Sequence, residues 1–402
     1  MTSASTSPEV TAWLRVWIAF LAGCIGAFQI GKTFAALPLI IDELNLDLVD
    51  AGLILSLFSL IAAVAGGLFG LLADRLGHLR MVIAGLSLSA LGSFAGATAN
   101  DIGWLLGTRV IEGLGFILAI VALPSLIGRS ARDRDRPLAM GLWGAFMPAG
   151  IGLSMLITPL LVDWHGWRGL WNDVGLILLA WSVLMYLTFH KLPPASATGS
   201  DLGAFVRNAL RLGPLLVVAG FVCYSSLYQS LTAFLPTMLV TGYEVPLARA
   251  ANLGALVVVG NIIGNVGAGW LIGRGATPWK LLVVSFVMMG ICAMLVFTSA
   301  TPPAFKIVAG FLFSACGGMF PGTAFVLAAR FSPSPALMAL MAGFMLQGAG
   351  LGQTLGPMLV SSVVERAGSW DHANLVVLGF ALIGLSCALL LRRQSQEPVA
   401  RH

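Results

Sequence analysis

The stretch GAFQIGKT, Gly26 to Thr33, fits the phosphate-loop pattern G-x-x-x-x-G-K-[ST]. A phosphate loop follows a strand, precedes a helix and keeps its backbone N–H groups free to cradle phosphate. Here VWIAFLAGCI precedes and FAALPLII follows, and Lys32 is the only charge between Val16 and Ile41. That run is long enough to cross a bilayer as a helix, for which about 20 residues suffice. Within a helix the N–H groups are already bonded, so the nucleotide reading fails on context. Lys32 is then a lysine inside a membrane helix, with Gln29 on the same face three residues earlier. A charge at the bilayer centre costs about 2.5–3.5 kcal/mol on insertion scales and persists only with a partner or a water-filled cavity. Two uses are open to Lys32: attracting an anionic substrate or tuning a cavity carboxylate, or else snorkelling and structural pairing.

Arg109 and Glu112 stand at i and i+3 of a second apolar stretch and can pair on one helix face. Glu112 is the only carboxylate well inside an apolar segment, and no histidine lies deep in one. A proton-coupled mechanism through a carboxylate would therefore use Glu112; the alternative is a structural ion pair with Arg109. Further polar residues pair by face: Tyr224 with Tyr228, Asn261 with Asn265, Gln347 with Thr354, and Trp143 with Met147. They are candidates for contacting a small polar solute, against hydrogen bonding between membrane helices. Met338, Met341 and Met345 form a stripe, for which apolar packing is favoured over soft-metal ligation. The five cysteines, at 24, 223, 292, 316 and 387, show no metal-ligand spacing and are expected to pack. No metal, cofactor or disulfide framework is expected. No Asp/Glu pair, Ser/His arrangement or metal cluster is placed for catalysis, so the chain reads as a non-enzyme.

The elements that must position these residues are membrane helices. Of the 402 residues 58% are hydrophobic and 10% charged, with a mean hydropathy of +0.93; soluble domains carry about 25% charged residues. Charges recur at intervals that leave twelve apolar segments, at about 14–38, 50–72, 80–99, 103–127, 138–162, 170–190, 213–239, 248–273, 279–300, 304–328, 336–363 and 372–391. The first is too long for a signal peptide and reads as retained. With the N-terminus cytoplasmic, the inside loops hold sixteen Lys and Arg and the outside loops four: Arg168, Arg249, Lys306 and Arg366. Positive charge concentrates on the cytoplasmic side, so both termini are expected there. The pI of 9.2 follows from topology, and a nucleic-acid partner is not expected.

Shifted by 198 positions, the sequence meets itself. Met140, Leu142, Phe146, Met147, Gly150, Gly152 and Pro159 fall on Met338, Leu340, Phe344, Met345, Gly348, Gly350 and Pro357. Ala35, Leu37 and Pro38 fall on Ala233, Leu235 and Pro236. Six helices repeated give parallel halves related by an axis along the membrane normal. The expected division is a first bundle over 1–190, a cytoplasmic linker over 191–213 and a second bundle over 214–402.

GLLADRLGHLR, Gly70 to Arg80, resembles the loop motif of the major facilitator superfamily, matching at Gly70, Asp74, Arg75, Gly77 and Arg80. Arg109, Glu112, Gly113 and Gly115 resemble that family's fourth-helix motif, with Glu112 where glutamine is common. GAFMPAGIG resembles its fifth-helix Gly/Pro motif. In the second-half loop copy, GWLIGRGATPWK, Gly273 stands where an aspartate would. Residues 124–161, 226–236 and 316–325 are similar to the cyanate and nitroimidazole permease branch. The resemblance implies an all-α membrane fold of twelve helices in two pseudo-symmetric six-helix bundles. Between them lies a cavity lined mainly by helices 1, 2, 4, 5, 7, 8, 10 and 11. Within such a cavity the candidate substrate contacts, read from residue type and helix face, are Lys32, Gln29, Arg109, Glu112, Trp143, Tyr224, Tyr228, Asn261 and Gln347. A gate is assigned to Gly70, Asp74, Arg75, Gly77 and Arg80, together with Pro148 and Pro159. The function implied is secondary transport of a small organic solute, a monovalent anion in preference to a cation, by alternating access in a bacterial inner membrane. Protons are a candidate co-substrate, membrane lipids the surroundings, and a monomer the expected state. The alternative is a proton-coupled efflux antiporter for amphipathic drug-like compounds.

Overall fold

The computed structural model describes residues 10–132, 134–192, 209–331 and 335–396, and every regular element among them is helical. The helices are α1 (Trp13–Leu44), α2 (Leu48–Leu76), α3 (His78–Ala97), α4 (Ile102–Ser130), α5 (Arg136–Trp143), α6 (Phe146–Phe189), α7 (Leu212–Tyr243), α8 (Leu247–Gly273), α9 (Pro278–Phe297), α10 (Pro303–Gly317), α11 (Met319–Phe331), α12 (Pro335–Ala367) and α13 (Ala373–Gln396). Among the described residues, nine helices are long and apolar enough to cross a membrane. Two crossings are divided differently from the sequence expectation. The fifth is built from α5 and the first part of α6, and α6 runs on into the sixth through Gly166, whose φ is +67°. The tenth breaks into α10 and α11 at Gly318, where a Cβ would collide with the Asn261 carbonyl. Taken with these divisions, the chain makes twelve crossings.

Local chemistry sets the ends. The Asp101 carboxylate caps α4 by accepting from the Trp104 N–H at 2.9 Å, and prolines open α9 and α10 where a missing N–H costs nothing. The internal repeat is visible in the backbone. Pro38 and Pro236 lie inside α1 and α7, and Pro159 and Pro357 inside α6 and α12. Both α1 and α7 end on a left-handed residue, Asn45 and Glu244. At the end of the molecule that carries the termini, the Thr11 hydroxyl donates to Asp135 at 2.7 Å and Arg132 adds a bond of 2.7 Å. These two donors hold the Asp135 carboxyl below the usual carboxylate range. At the opposite end Arg168 pairs with Glu43 and donates to the Ala99 carbonyl at 2.7 Å. Lys306, counted above among the loop cations, is instead buried in the first turn of α10. It donates to the Val296 and Thr298 carbonyls at 2.7 and 2.5 Å. Those carbonyls end α9 without helical partners, which gives the ammonium a place to go.

The halves meet along α2 and α12. Gly52 lies so close to Ser361 and the Pro357 carbonyl that no side chain fits. Ser59 donates to Gln353 Oε1 at 2.9 Å, Gly350 packs on Ala62 and Ala63, and the Leu48 N–H donates to Glu365 at 3.1 Å. On the other side Gly152 meets Val259, and Gly254 meets Met155. These contacts bring the halves together from mid-membrane to the end opposite the termini.

Candidate functional site

Lys32 leaves α1 toward the interior of its own half. Its Nζ donates to Glu112 Oε1 at 2.9 Å and to the Ser93 hydroxyl at 2.6 Å, and lies 4.2 Å from the centre of the Trp171 ring. Glu112 offers its other oxygen, Oε2, to Arg109 of the same helix. The Arg109 guanidinium also donates to the Gln29 carbonyl at 3.1 Å and the Ile54 carbonyl at 3.3 Å, and sits 4.6 Å from the Phe58 ring. The Ser93 hydroxyl donates in turn to the Trp171 carbonyl at 2.7 Å, and Ser89 donates to the Glu112 carbonyl at 3.1 Å. Lys32 and Glu112 are fully buried, and Arg109 is 1% exposed. One carboxylate is thus held between two cations where five membrane crossings, the first four and the sixth, converge.

Small residues make this convergence possible, as is usual between membrane helices. A Cβ at Gly92 would lie 2.9 Å from Glu112 Cγ, one at Gly113 would strike the Phe58 carbonyl, and one at Gly96 would lie 2.7 Å from the Trp171 ring. Gln29 Nε2 donates to the Ser89 carbonyl at 3.1 Å, while its Oε1 is buried and finds no partner among the described residues.

The second half carries a neutral cluster. Asn261 Nδ2 donates to the Tyr224 hydroxyl at 3.1 Å and to the Ser314 carbonyl at 3.3 Å, and Asn265 Nδ2 donates to Asn261 Oδ1 at 2.8 Å. Tyr224 stacks on Phe320 at 5.1 Å and on Tyr228 at 5.7 Å, and the Tyr228 hydroxyl donates to the Val258 carbonyl at 3.3 Å. Phenol and amide are thereby already paired inside the half.

The remaining sequence candidates are dispersed. Trp143 stacks on Phe146 at 4.2 Å and closes over Gly23. Gln347 packs against Gly66, and Thr354 donates to the Ser56 carbonyl at 3.4 Å, both at the seam of the halves. Pro148 and Pro159 are buried in α6. Gly77, at φ +91°, makes the turn between α2 and α3, and Arg80 is exposed. Gly70, Asp74 and Arg75 fall in the last turns of α2, where the side chains lie outside the described ones, as does that of Met338; Met341 and Met345 are fully buried.

Sequence reasoning missed Ser93 and Trp171. The expected cavity lining left out the third and sixth helices, which supply them. The available clue was a serine in a glycine-rich third helix and a tryptophan just beyond the loop that leads into the sixth.

Residues 19–336 match the family model described as the Major Facilitator Superfamily. The chain belongs to that superfamily. The putative niacin/nicotinamide transporter of Bacillus subtilis is 22% identical over 393 residues, covering 94% of this chain and 96% of that protein. The cyanate transport protein of Escherichia coli is 27% identical over 327 residues, covering 77% and 80%. Among solved structures, a bacterial homologue of the human lysosomal transporter Spinster, inward-facing and unoccupied, superposes with a TM-score of 0.83 at 15% identity, covering 96% of this chain and 99% of that one. As a Major Facilitator Superfamily member the chain is a multi-pass membrane transporter of small organic solutes and not an enzyme.

Proposed function

We propose that this protein moves a small organic monoanion by alternating access across a bacterial inner membrane, with both termini on the cytoplasmic side. The observation that carries this reading is the charge of the buried cluster: Lys32 and Arg109 face the single carboxylate of Glu112. One positive charge is left over in a low-dielectric interior, where its attraction for an anion is least screened. Cyanate, and nicotinate, the anion of niacin, are monovalent anions, while nicotinamide, which the first relative's name also gives, is neutral. The seam at α2 and α12 supplies the moving part. Among the described residues it is held by backbone contact at glycines and by the Ser59–Gln353 and Leu48–Glu365 hydrogen bonds. The bias of basic residues, sixteen against three once the buried Lys306 is set aside, supports the orientation.

An efflux antiporter for amphipathic cations is less well served, because the one deep acid is already occupied by two cations. The test is uptake into proteoliposomes without ATP, comparing labelled cyanate, nicotinate and a lipophilic organic cation. Anion uptake is expected, falling to a small fraction in Lys32→Ala while that variant inserts normally. Uptake of the cation alone, or parental anion uptake by Lys32→Ala, would overturn the reading.

A further inference from the structure

We propose that the second half binds an anionic phospholipid at the end that carries the termini, its headgroup phosphate held by Lys280, Arg392 and Arg274 beside the Trp279 and Trp270 rings. The acids of this half lie at the other end. Among its described residues they are Glu244, Glu365 and Asp371. Glu244 follows α7, Glu365 accepts from the Leu48 N–H at 3.1 Å, and Asp371 accepts from the Ser299 N–H at 2.6 Å. The end with the termini carries Arg211, Arg274, Lys280, Arg392 and Arg393, with no acid among the described residues of this half beside them. None of Arg274, Lys280 and Arg392 makes an ion pair with a described residue. The first half differs, since its Arg132 is paired with Asp135 at 2.7 Å. Gly273 stands where the loop motif would place an aspartate. Arg274, next to it, has an indole in place of a carboxylate: its guanidinium lies 3.7 Å from the Trp270 ring centre.

Helix packing gathers these cations. A Cβ at Gly384 of α13 would strike the Phe286 ring of α9, and one at Gly290 would lie 3.1 Å from Ala381 Cβ. The two helices therefore run antiparallel in close contact. Carried on toward the termini, that register sets Trp279 against Arg392, whose guanidinium lies 5.3 Å from the ring centre. Lys280 reaches the same ring at 5.9 Å. Cations from two helices thus share one indole, and the turn through Gly275, at φ +93°, joins them to Arg274 and Trp270 of α8. Trp279 is half-buried, while Arg274, Lys280 and Arg392 are exposed. An aromatic face attracts a cation but accepts none of its hydrogen bonds in full, so the N–H groups remain free for phosphate oxygens. Toward mid-membrane the surface continues as exposed Val284, Val287 and Ile291 of α9 and Leu382 and Leu389 of α13, a wall suited to an acyl chain.

The chemistry chooses among lipids. Tryptophan sits at headgroup level in a bilayer, and basic pockets at that level bind anionic headgroups. Phosphatidylcholine would bring a quaternary ammonium into a site that already holds three cations. Phosphatidylglycerol brings a negative phosphodiester with only hydroxyls beside it. Inorganic phosphate offers similar oxygens but has no chain to lie along α9 and α13. Topology alone accounts for bases at this end, yet bases paired with acids, as Arg132 is, would serve topology equally well. This surface faces lipid, so the site is independent of which solute crosses the membrane.

Thermal unfolding in a neutral detergent tests this. Added short-chain phosphatidylglycerol should raise the melting temperature of the parent saturably, as a ligand of the folded state does. Phosphatidylcholine of the same chains, and inorganic phosphate, should not. The double variant Lys280→Gln with Arg392→Gln should need about thirtyfold more phosphatidylglycerol for half the effect, each cation near an anionic headgroup being worth about fivefold. Without lipid its melting temperature should match the parent's, since no ion pair is broken. Arg15→Gln, which removes a charge from the start of α1 in the first half, should respond as the parent does. Equal stabilisation by phosphatidylcholine, an unchanged response in the double variant, or an equal loss in Arg15→Gln would overturn the proposal. Equal stabilisation by inorganic phosphate would overturn the assignment to a lipid. Should the double variant fail to insert, fluorescence decides. A minor fraction of chain-brominated phosphatidylglycerol in phosphatidylcholine vesicles should quench Trp279, read as the difference between the parent and Trp279→Phe. The same fraction of brominated phosphatidylcholine should quench it severalfold less, and equal quenching by the two would overturn the proposal.

Discussion

Glu112 neutralises one of the two cations it touches, Lys32 and Arg109, so removing it differs in kind from removing Lys32. Glu112→Gln would leave Lys32 and Arg109 facing each other around an amide with no water to screen them. Breaking a buried pair from one side costs about 3–5 kcal/mol. Lys32→Met deletes the surplus charge, keeps most of the side-chain volume and leaves Arg109 paired to Glu112. The expected order of melting temperature in detergent is therefore Lys32→Met equal to or above the parent, and Glu112→Gln well below both. Equal destabilisation by the two changes would show that the carboxylate is not the keystone of the cluster. The same comparison separates stability from transport, since Lys32→Met should be stable and inactive toward anions.

At the scale of elements, close helix approach is what brings the five crossings onto one carboxylate and closes the seam between the halves. Gly52 is the sharpest case, because a Cβ there would meet Ser361 Oγ and the Pro357 carbonyl of α12. Gly52→Leu should hold α2 and α12 apart at the end opposite the termini. That end contains a cavity of about 300 Å³ lined by Ile41, Leu48, Thr237, Thr241, Glu365 and Trp370, among others. Thr237 is 2% exposed, so a cysteine placed there should react slowly with a membrane-impermeant maleimide. In the Gly52→Leu background, with the five native cysteines replaced, labelling should rise at least severalfold. Unchanged labelling would mean that this seam does not govern access to the outer cavity.

For the whole molecule, the charge asymmetry is the informative departure from the repeat. At the 198-residue offset Lys32, Arg109 and Glu112 fall on Ser230, Ile307 and Gly310. The first half therefore carries the ionic cluster, and the second answers with tyrosines and asparagines already bonded to one another. Orientation is a whole-molecule property too. Trp164, 76% exposed, stands next to the Gly166 turn at the end away from the termini. Trp164→Cys in the cysteine-replaced background should be labelled by impermeant maleimide on intact spheroplasts, while a fluorescent protein fused after residue 402 should fold and fluoresce in the cytoplasm. The reverse pattern would invert the proposed topology.

The membrane class, the twelve crossings and the likeness of the halves were legible in the sequence because each depends on local composition. An apolar run must hide its backbone in a helix wherever it meets lipid, and a repeat keeps its prolines and glycines at fixed offsets. The Arg109–Glu112 pair was legible for the same reason, since three residues along one helix is a local distance. The partner of Lys32 was not. Glu112 is 80 residues away, and the α1-to-α4 packing that joins them is decided by which glycines let which backbones approach. Ser93 and Trp171 were hidden for that reason as well, being ordinary residues until the third and sixth crossings press them against an ammonium. The burial of Lys306 was misread as a loop because its stabilisation comes from the open carbonyls that end α9. Sequence alone determined what must lie in the membrane; tertiary packing decided which buried charge answers which, because that choice is made by contacts between distant segments and leaves no periodicity behind.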